Sequence, residues 1–99
     1  MDYRDYLERL RRWESVATFS QYGEVLENGQ AYPLLCLTTS GSRELVIIAG
    51  FHGEEPAGPL TLLARFGEIA EYAREHDVML RVFPCVNPSG FEGGHRYNA

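Results

Sequence analysis

A histidine and a glutamate, His52 and Glu55, stand three positions apart between an apolar run and a stretch with helical spacing. A neutral imidazole nitrogen and a carboxylate oxygen are both good zinc donors. If Glu55 lies in the first turn of a helix, or in a tight loop before it, this spacing can bring both side chains to one side. The pattern therefore predicts a pair of metal donors, but H-x-x-E is short, and the elements around it decide how much it means.

A strand, a helix and a second strand are predicted around this pair. The apolar run Leu45–Ile48 is typical of a strand covered on both faces. Residues 57–76 have helical spacing, with Pro56 and Pro59 suited to the first turn, and residues 78–86 predict the next strand. The predicted inward face of the helix is Leu60, Leu63, Phe66, Ile69, Ala70 and Ala73. Such a unit makes its two strands parallel, and open α/β sheets bind ligands at the carboxyl ends of such strands.

The N-terminal part predicts a helix followed by a hairpin. Residues 3–14 carry apolar side chains at helical spacing. Asn28-Gly29 is the strongest short hairpin signal, and Pro33 predicts an edge position or a bulge in the second arm. The chain is therefore one domain with a helix at 1–15, a hairpin at 19–39, a strand-helix-strand unit at 44–86 and a loop at 87–99.

Composition excludes some classes of partner. The chain has 99 residues, 44% of them hydrophobic, and a net charge of −5, which argues against nucleic acid and anionic membranes as partners. Cys36 and Cys85 lie far apart inside apolar runs and are predicted to be buried core thiols. No secretory core or membrane span is visible, so a reducing, cytoplasmic location is expected.

Two segments at the carboxyl ends of the predicted parallel strands resemble one enzyme family. Residues 50–58 read G-F-H-G-E-E-P-A-G, and residues 85–99 read C-V-N-P-S-G-F-E-G-G-H-R-Y-N-A. In this order, with a helix between them, they resemble the zinc carboxypeptidase family and its deacylase relatives, the succinylglutamate desuccinylases and aspartoacylases. The second segment is similar to the family's Asn-Pro-Asp-Gly segment leading to Arg and Asn, with Ser89 where Asp is usual.

The resemblance implies a fold, a cofactor and three site residues. It implies a three-layer α/β/α sandwich of the zinc-carboxypeptidase type, with a mixed sheet truncated after the first half. His52 and Glu55 would be two of three zinc ligands, and Arg96 would be the catalytic residue that polarises the scissile carbonyl and stabilises its oxyanion. Asn87 and Gly90 would shape the loop that carries Arg96. The implied activity is a zinc-dependent, metallocarboxypeptidase-like hydrolysis of peptide or amide bonds.

Some of the family's residues are missing from this sequence. A second histidine ligand, an Asn-Arg pair that grips the substrate carboxylate and a catalytic glutamate lie further downstream in the family. The chain is therefore expected to be the N-terminal portion of a longer enzyme, and to be inactive with weak zinc binding by itself. A sheet cut short would also expose an apolar edge, so a homo-oligomer or a poorly soluble monomer is expected.

Several alternatives stay open. The substrate can be a peptide or an N-acyl amino acid, the latter pointing to a deacylase, and the chain can also be a truncated, non-catalytic relic. His52 can be a loop histidine with Glu55 a carboxylate at a helix start, and Arg96 a solvated surface residue. His95 is a candidate third ligand that the family's register does not favour. Two residues are interpreted as structural or solvated, namely His76 and Glu54.

Overall fold

Four strands form one mixed sheet in the computed structural model, which describes residues 1–97. They are β1 (Thr18–Glu27), β2 (Gln30–Thr38), β3 (Arg43–Ile48) and β4 (Val78–Phe83), in the spatial order β1-β2-β4-β3. β1 and β2 are antiparallel, as are β2 and β4, whereas β3 and β4 are parallel. The strand-helix-strand unit thus produces the parallel pair that was expected.

Three α-helices accompany the sheet. α1 (Tyr3–Leu10) continues into a short 3-10 turn, Arg11–Trp13, and α2 (Ala57–Glu75) connects β3 to β4. The third helix, α3 (Pro88–Gly93), lies in the segment predicted to be a loop. Within residues 1–97, no helix combines the length and the apolar character needed to cross a bilayer.

The first residues of the segment predicted to be a loop, 87–90, begin a helix instead. The Asn87 side chain accepts a hydrogen bond from the Gly90 amide at 3.2 Å, and Pro88 occupies the first turn. Gly94 ends the helix in the left-handed region at φ 70°. Asn, Pro and Gly serve turns and helix ends equally well, so the sequence pattern did not separate the two. The last two residues of the predicted loop, Asn98 and Ala99, lie outside the described part.

The hydrophobic core lies on one face of the sheet, between the strands and all three helices. Its fully buried members include Tyr6 and Leu10 of α1, Phe66 of α2, and Leu80 and Val82 of β4. The face of α2 is turned slightly from the prediction, and its buried residues are Pro59, Leu62, Phe66, Ala70 and Ala73. Leu60, predicted to face inward, is 37% exposed, whereas Leu62 is only 4% exposed. The buried Tyr6 hydroxyl donates a hydrogen bond to the Pro59 carbonyl at 2.8 Å, which joins α1 to the first turn of α2.

The other face of the sheet has no described helix on it. Val46 and Ile48 of β3, at the sheet edge, are 46% and 48% exposed. The run Leu45–Ile48 was predicted to be buried on both faces of the sheet. Within residues 1–97 it is partly exposed on both faces. Tyr22 packs edge-on against Phe83 on this face, with ring centroids 5.3 Å apart. Side chains alternate between the faces of a strand, so this surface follows directly from the strand register.

The hairpin turns at Asn28-Gly29, where both residues have positive φ. The bulge lies in the first arm, between Gln21 and Gly23. Of the two alternatives that Pro33 predicted, the edge position is confirmed and the bulge in the second arm is wrong. Pro33 pairs with Glu24, and its carbonyl accepts a hydrogen bond from the Tyr3 hydroxyl at 2.6 Å. The missing amide of Pro33 is tolerated because only β1 pairs with β2 at this point.

Both cysteines are free and buried, as predicted. Cys85 is part of the core beneath the helices. Cys36 lies on the uncovered face, where burial raises the pKa of its thiol and the nearby Arg81 guanidinium opposes that rise.

Candidate metal centre

The structure brings the side chains of His52 and Glu55 together in the loop that follows β3. His52 Nδ1 donates a hydrogen bond to Glu55 Oε1 at 2.6 Å. The backbone explains this geometry, since the Glu55 amide donates to the His52 carbonyl at 2.9 Å and closes a tight turn. The two side chains are 37% and 62% exposed, so an ion can reach both donor atoms from solvent.

Glycines allow this loop to lie against the segment after β4. Gly50 has φ 78°, and a Cβ at this position would come within 2.9 Å of Cys85 Cα. A Cβ at Gly53 would come within 1.9 Å of the Gly90 carbonyl carbon. Larger residues at Gly50 or Gly53 would therefore separate the two loops that form the site.

Asn87 connects the two loops by hydrogen bonds. Its Nδ2 donates to the Phe51 carbonyl at 3.1 Å and to the Arg96 carbonyl at 3.4 Å, while its Oδ1 accepts from Gly90. A Cβ at Gly90 would approach Asn87 Nδ2 at 2.5 Å. Asn87 and Gly90 thus shape the loop that carries Arg96.

Arg96 lies beside the donor pair and is held by Glu54. Its Nη1 donates to Glu54 Oε1 at 2.8 Å, with both side chains about half exposed. This hydrogen bond to Glu54, followed by one to Tyr97, raises the pKa of Arg96 above its ordinary value. The interpretation of Glu54 as merely solvated was therefore wrong. The sequence did not predict the pair of Glu54 and Arg96, because the two residues are 42 positions apart and no local pattern connects them.

Tyr97 is a second residue that the sequence did not single out. Its ring stands edge-on to the His52 ring, with centroids 6.3 Å apart. The Arg96 guanidinium carbon lies 5.8 Å from the centre of the same ring. The Tyr97 ring therefore lies beside both His52 and Arg96. In the sequence, only its position next to Arg96 indicated that it could belong to the site.

The remaining histidines do not join His52. Among residues 1–97, no group of three or more histidine, cysteine or acidic side chains is arranged to hold a metal. The His95 ring lies against Gly93, with its Cδ2 2.6 Å from the position that a Cβ on Gly93 would occupy. His76 ends α2, where its Nδ1 hydrogen-bonds the Tyr72 carbonyl at 2.8 Å.

Ser89 stands where the family usually has aspartate, and its side chain is hydrogen-bonded to Glu27. Its hydroxyl donates to Glu27 Oε2 at 2.7 Å, and Ser89 itself is only 5% exposed. An aspartate here would place a second carboxylate against Glu27 in a buried position, which is unfavourable. The serine therefore joins the end of the hairpin to α3.

Comparisons with known proteins show which proteins this chain and its fold are similar to. Carboxypeptidase 2 of Trichophyton rubrum is 30% identical over 108 residues, which cover 95% of this chain and 20% of that protein. A provisionally named metallopeptidase from Shewanella amazonensis is 34% identical, with a TM-score of 0.72 over 97% of this chain and 35% of its own. Bovine thrombin-activatable fibrinolysis inhibitor, solved with tick carboxypeptidase inhibitor, has the same TM-score of 0.72 at 22% identity. No family model matches the chain.

The chain has part of the metallocarboxypeptidase fold. This confirms the resemblance predicted from the segments at 50–58 and 85–99, and it confirms the mixed α/β architecture. The chain spans about a third of the length of the solved structures that it matches. It covers 34% to 36% of three Shewanella metallopeptidases and of the bovine fibrinolysis inhibitor. A partial sandwich with helices on one face of the sheet agrees with that share.

Proposed function

We propose that this chain carries the zinc-donor pair of a metallocarboxypeptidase-like hydrolase of peptide or amide bonds. The observation that supports this most directly is the 2.6 Å approach of His52 Nδ1 to Glu55 Oε1 at the carboxyl end of β3. Imidazole nitrogen and carboxylate oxygen are a donor set that zinc uses in catalytic sites. The names of the similar proteins, carboxypeptidase and metallopeptidase, point to a metal cofactor of the same kind.

His52 and Glu55 would hold the metal through the imidazole nitrogen and the carboxylate oxygen that face each other at 2.6 Å. An imidazole nitrogen ligates a metal through its unprotonated lone pair. Bound zinc supplies Lewis acidity, which polarises a carbonyl and makes a bound water a better nucleophile. The protein residues contribute by fixing both donor atoms in one tight turn.

Arg96 would stabilise the negative charge that develops on the substrate carbonyl oxygen. A cation that is already in place beside this oxygen needs no reorganisation during the reaction, which is why such groups contribute several kcal/mol. Glu54 and Tyr97 each accept a hydrogen bond from the guanidinium, which has five N–H groups, so some of these groups are left to face a substrate. Glu54 is thus the residue that positions Arg96.

The substrate and the remaining catalytic groups are proposed on chemical grounds. Catalytic zinc sites normally use three protein ligands and an open position, and residues 1–97 bring only two such donors together. We therefore place the third ligand and the general base outside residues 1–97, with a peptide as the favoured substrate. A reducing, cytoplasmic location fits two free cysteines and stays a prediction.

Zinc titration of the purified chain tests the donor assignment. We expect weak but measurable binding that His52→Ala and Glu55→Gln each abolish, with the circular dichroism of the fold unchanged because both residues lie outside the core. His76→Ala and Glu75→Gln are matched controls at the far end of α2 and should bind zinc as before. Unchanged zinc binding by either His52→Ala or Glu55→Gln would remove that residue from the site.

Turnover of the native gene product tests the role of Arg96. Arg96→Ala should keep bound zinc and lower kcat by roughly a hundredfold, the usual effect of removing an oxyanion donor. Arg74→Ala, an exposed change on the outer face of α2, is the control. If Arg96→Ala turns over peptide at the normal rate, this residue has no part in the reaction.

A further inference from the structure

The backbone of the segment that contains Arg96 is attached to α3 by two hydrogen bonds. The His95 amide donates to the Gly90 carbonyl at 2.9 Å. Asn87, the N-cap residue of α3, donates to the Arg96 carbonyl at 3.4 Å. Because both contacts come from α3, the position of Arg96 beside Glu54 depends on where this helix lies and how it is rotated.

The helix α3 needs contacts from other elements to keep that position. It has only six residues, and so short a helix is not stable without tertiary packing. Phe91 supplies apolar packing, since it is 6% exposed and its ring lies against Tyr6 of α1 with ring centroids 5.0 Å apart. Apolar packing is not directional, so this contact brings α3 close to α1 without fixing its rotation.

Glu92, on the same helix, makes the directional contacts. Its Oε1 accepts a hydrogen bond from the Tyr3 amide at 3.0 Å, and its Oε2 accepts one from the Tyr32 hydroxyl at 3.0 Å. The Tyr3 amide is one of the first amides of α1, which have no partner inside the helix, and the positive end of the helix dipole favours a carboxylate there. Hydrogen bonds to an ionised carboxylate are also stronger than those between neutral groups.

The two donors that hold Glu92 are themselves fixed. Tyr3 and Tyr32 are 2% and 5% exposed, and their ring centroids lie 5.9 Å apart. Tyr3 belongs to α1 and Tyr32 to β2, so the two oxygens of Glu92 are bound to two different elements. Two fixed points on one side chain prevent α3 from turning about its axis.

We infer that Glu92 is a further positioning residue for Arg96. It fixes the rotation of α3 against α1 and β2, and α3 in turn holds residues 95–96 beside the donor pair. Glu54 orients the guanidinium, whereas Glu92 determines where the backbone of Arg96 lies. That this placement serves catalysis rests on the proposed function, but the placement itself can be measured without any reaction.

Nuclear magnetic resonance of the metal-free chain tests the inference with Glu92→Leu, which removes both hydrogen bonds and keeps a side chain of similar length. We expect the order parameter of the Arg96 amide to fall by about a third, which is the difference between rigid and flexible backbone. The guanidinium signals of Arg96 should move toward those of free arginine as its contact with Glu54 loosens. Glu92→Gln should restore both values, because its amide oxygen can accept from Tyr3 and its amide nitrogen can donate to the Tyr32 hydroxyl oxygen.

Tyr6→Phe is the matched control. It also removes a buried hydrogen bond of α1, the one to the Pro59 carbonyl, but it keeps the ring that packs on Phe91. This variant should unfold at a lower urea concentration and leave the Arg96 signals unchanged. If Glu92→Leu does not fold, Tyr32→Phe removes one of the two bonds to Glu92 and should move the Arg96 signals in the same direction.

Two results would overturn the inference. The first is a folded Glu92→Leu chain, or Tyr32→Phe in its place, whose Arg96 signals match the wild type. The second is an equal change of these signals in Tyr6→Phe, which would show that general loss of stability moves Arg96. The measurement contains no zinc and no turnover step, so its failure leaves the hydrolase proposal standing, and failure of the zinc tests leaves this result readable.

Discussion

The two faces of the sheet carry side chains from the same strands but have different surroundings. On the covered face, Leu80 and Val82 are 1% and 0% exposed beneath the helices. On the other face, Val46 and Ile48 remain about half exposed, with Tyr22 and Phe83 packed on each other. The comparison teaches that strand alternation sorts side chains between faces, while the placement of helices decides which apolar surface stabilises the fold.

The largest expected effect comes from a truncation on the covered face. Phe66 is fully buried and packs against Trp13, with ring centroids 6.3 Å apart. Phe66→Ala should lower the free energy of unfolding by about 3–5 kcal/mol, since it removes a buried ring and leaves a cavity. Urea unfolding measures this change. Val46→Thr on the other face should change it by less than about 0.5 kcal/mol when unfolding is measured at a concentration too low for self-association. Similar losses for both variants would contradict the comparison.

A second prediction concerns self-association through the uncovered face and the edge strand β3. The expected homo-oligomer stays a prediction, and light scattering should give a mass above the 11.2 kDa of one chain. Val46→Thr should weaken a symmetric dimer by about 2 kcal/mol, or roughly thirtyfold, because each copy loses apolar contact. Leu26→Thr, at the opposite edge of the sheet, should have no effect. A wild-type chain that stays monomeric would refute this prediction.

A third prediction compares the two faces through the pH dependence of stability that Cys85 and Cys36 contribute. Burial raises the pKa of Cys85 to about 12, whereas an unfolded thiol ionises near ~8.5. The unfolded state therefore loses its proton first, and stability should fall as pH rises from 8 to 10, by at most about 1.4 kcal/mol per pH unit for this group.

The same titration compares Cys85 with Cys36 on the uncovered face. The nearby Arg81 guanidinium favours the Cys36 thiolate and reduces the rise of its pKa. Urea unfolding at several pH values should show a flatter pH dependence for Cys85→Ala than for Cys36→Ala. Equal slopes for the two variants would mean that the covering helices do not distinguish these thiols.

The smallest effect is expected for an ion pair on the uncovered face. Arg81 Nε lies 2.7 Å from Glu44 Oε2, with both side chains nearly half exposed. Glu44→Gln should therefore cost less than about 1 kcal/mol, and less still at high salt. Glu68→Gln, which breaks a similar exposed pair with Arg65 on α2, is the control. A loss of several kcal/mol for Glu44→Gln alone would show that this face is protected from water.

Local interactions made much of the fold predictable. The Asn28-Gly29 turn and the loop with His52 and Glu55 depend on residues close together in sequence, and the parallel β3-β4 pair follows from the strand-helix-strand order. Their signals are periodicity, turn chemistry and spacing, which act before any distant part of the chain is in place. The predictions that failed locally, the loop at α3 and the inward position of Leu60, concern residues that suit two conformations or two rotations equally well.

The amino-acid sequence by itself determined the strands, the helices other than α3, the apolar side of most of these elements and the donor types at the end of β3. Only the tertiary structure decided that Glu54 binds Arg96, 42 residues away, and that Glu27 binds Ser89, 62 residues away. It also decided which face of the sheet the helices cover. The physical reason is that these contacts depend on the strand order β1-β2-β4-β3, which brings distant loops together. Hydrogen bonds across those loops have no periodic signal in the sequence.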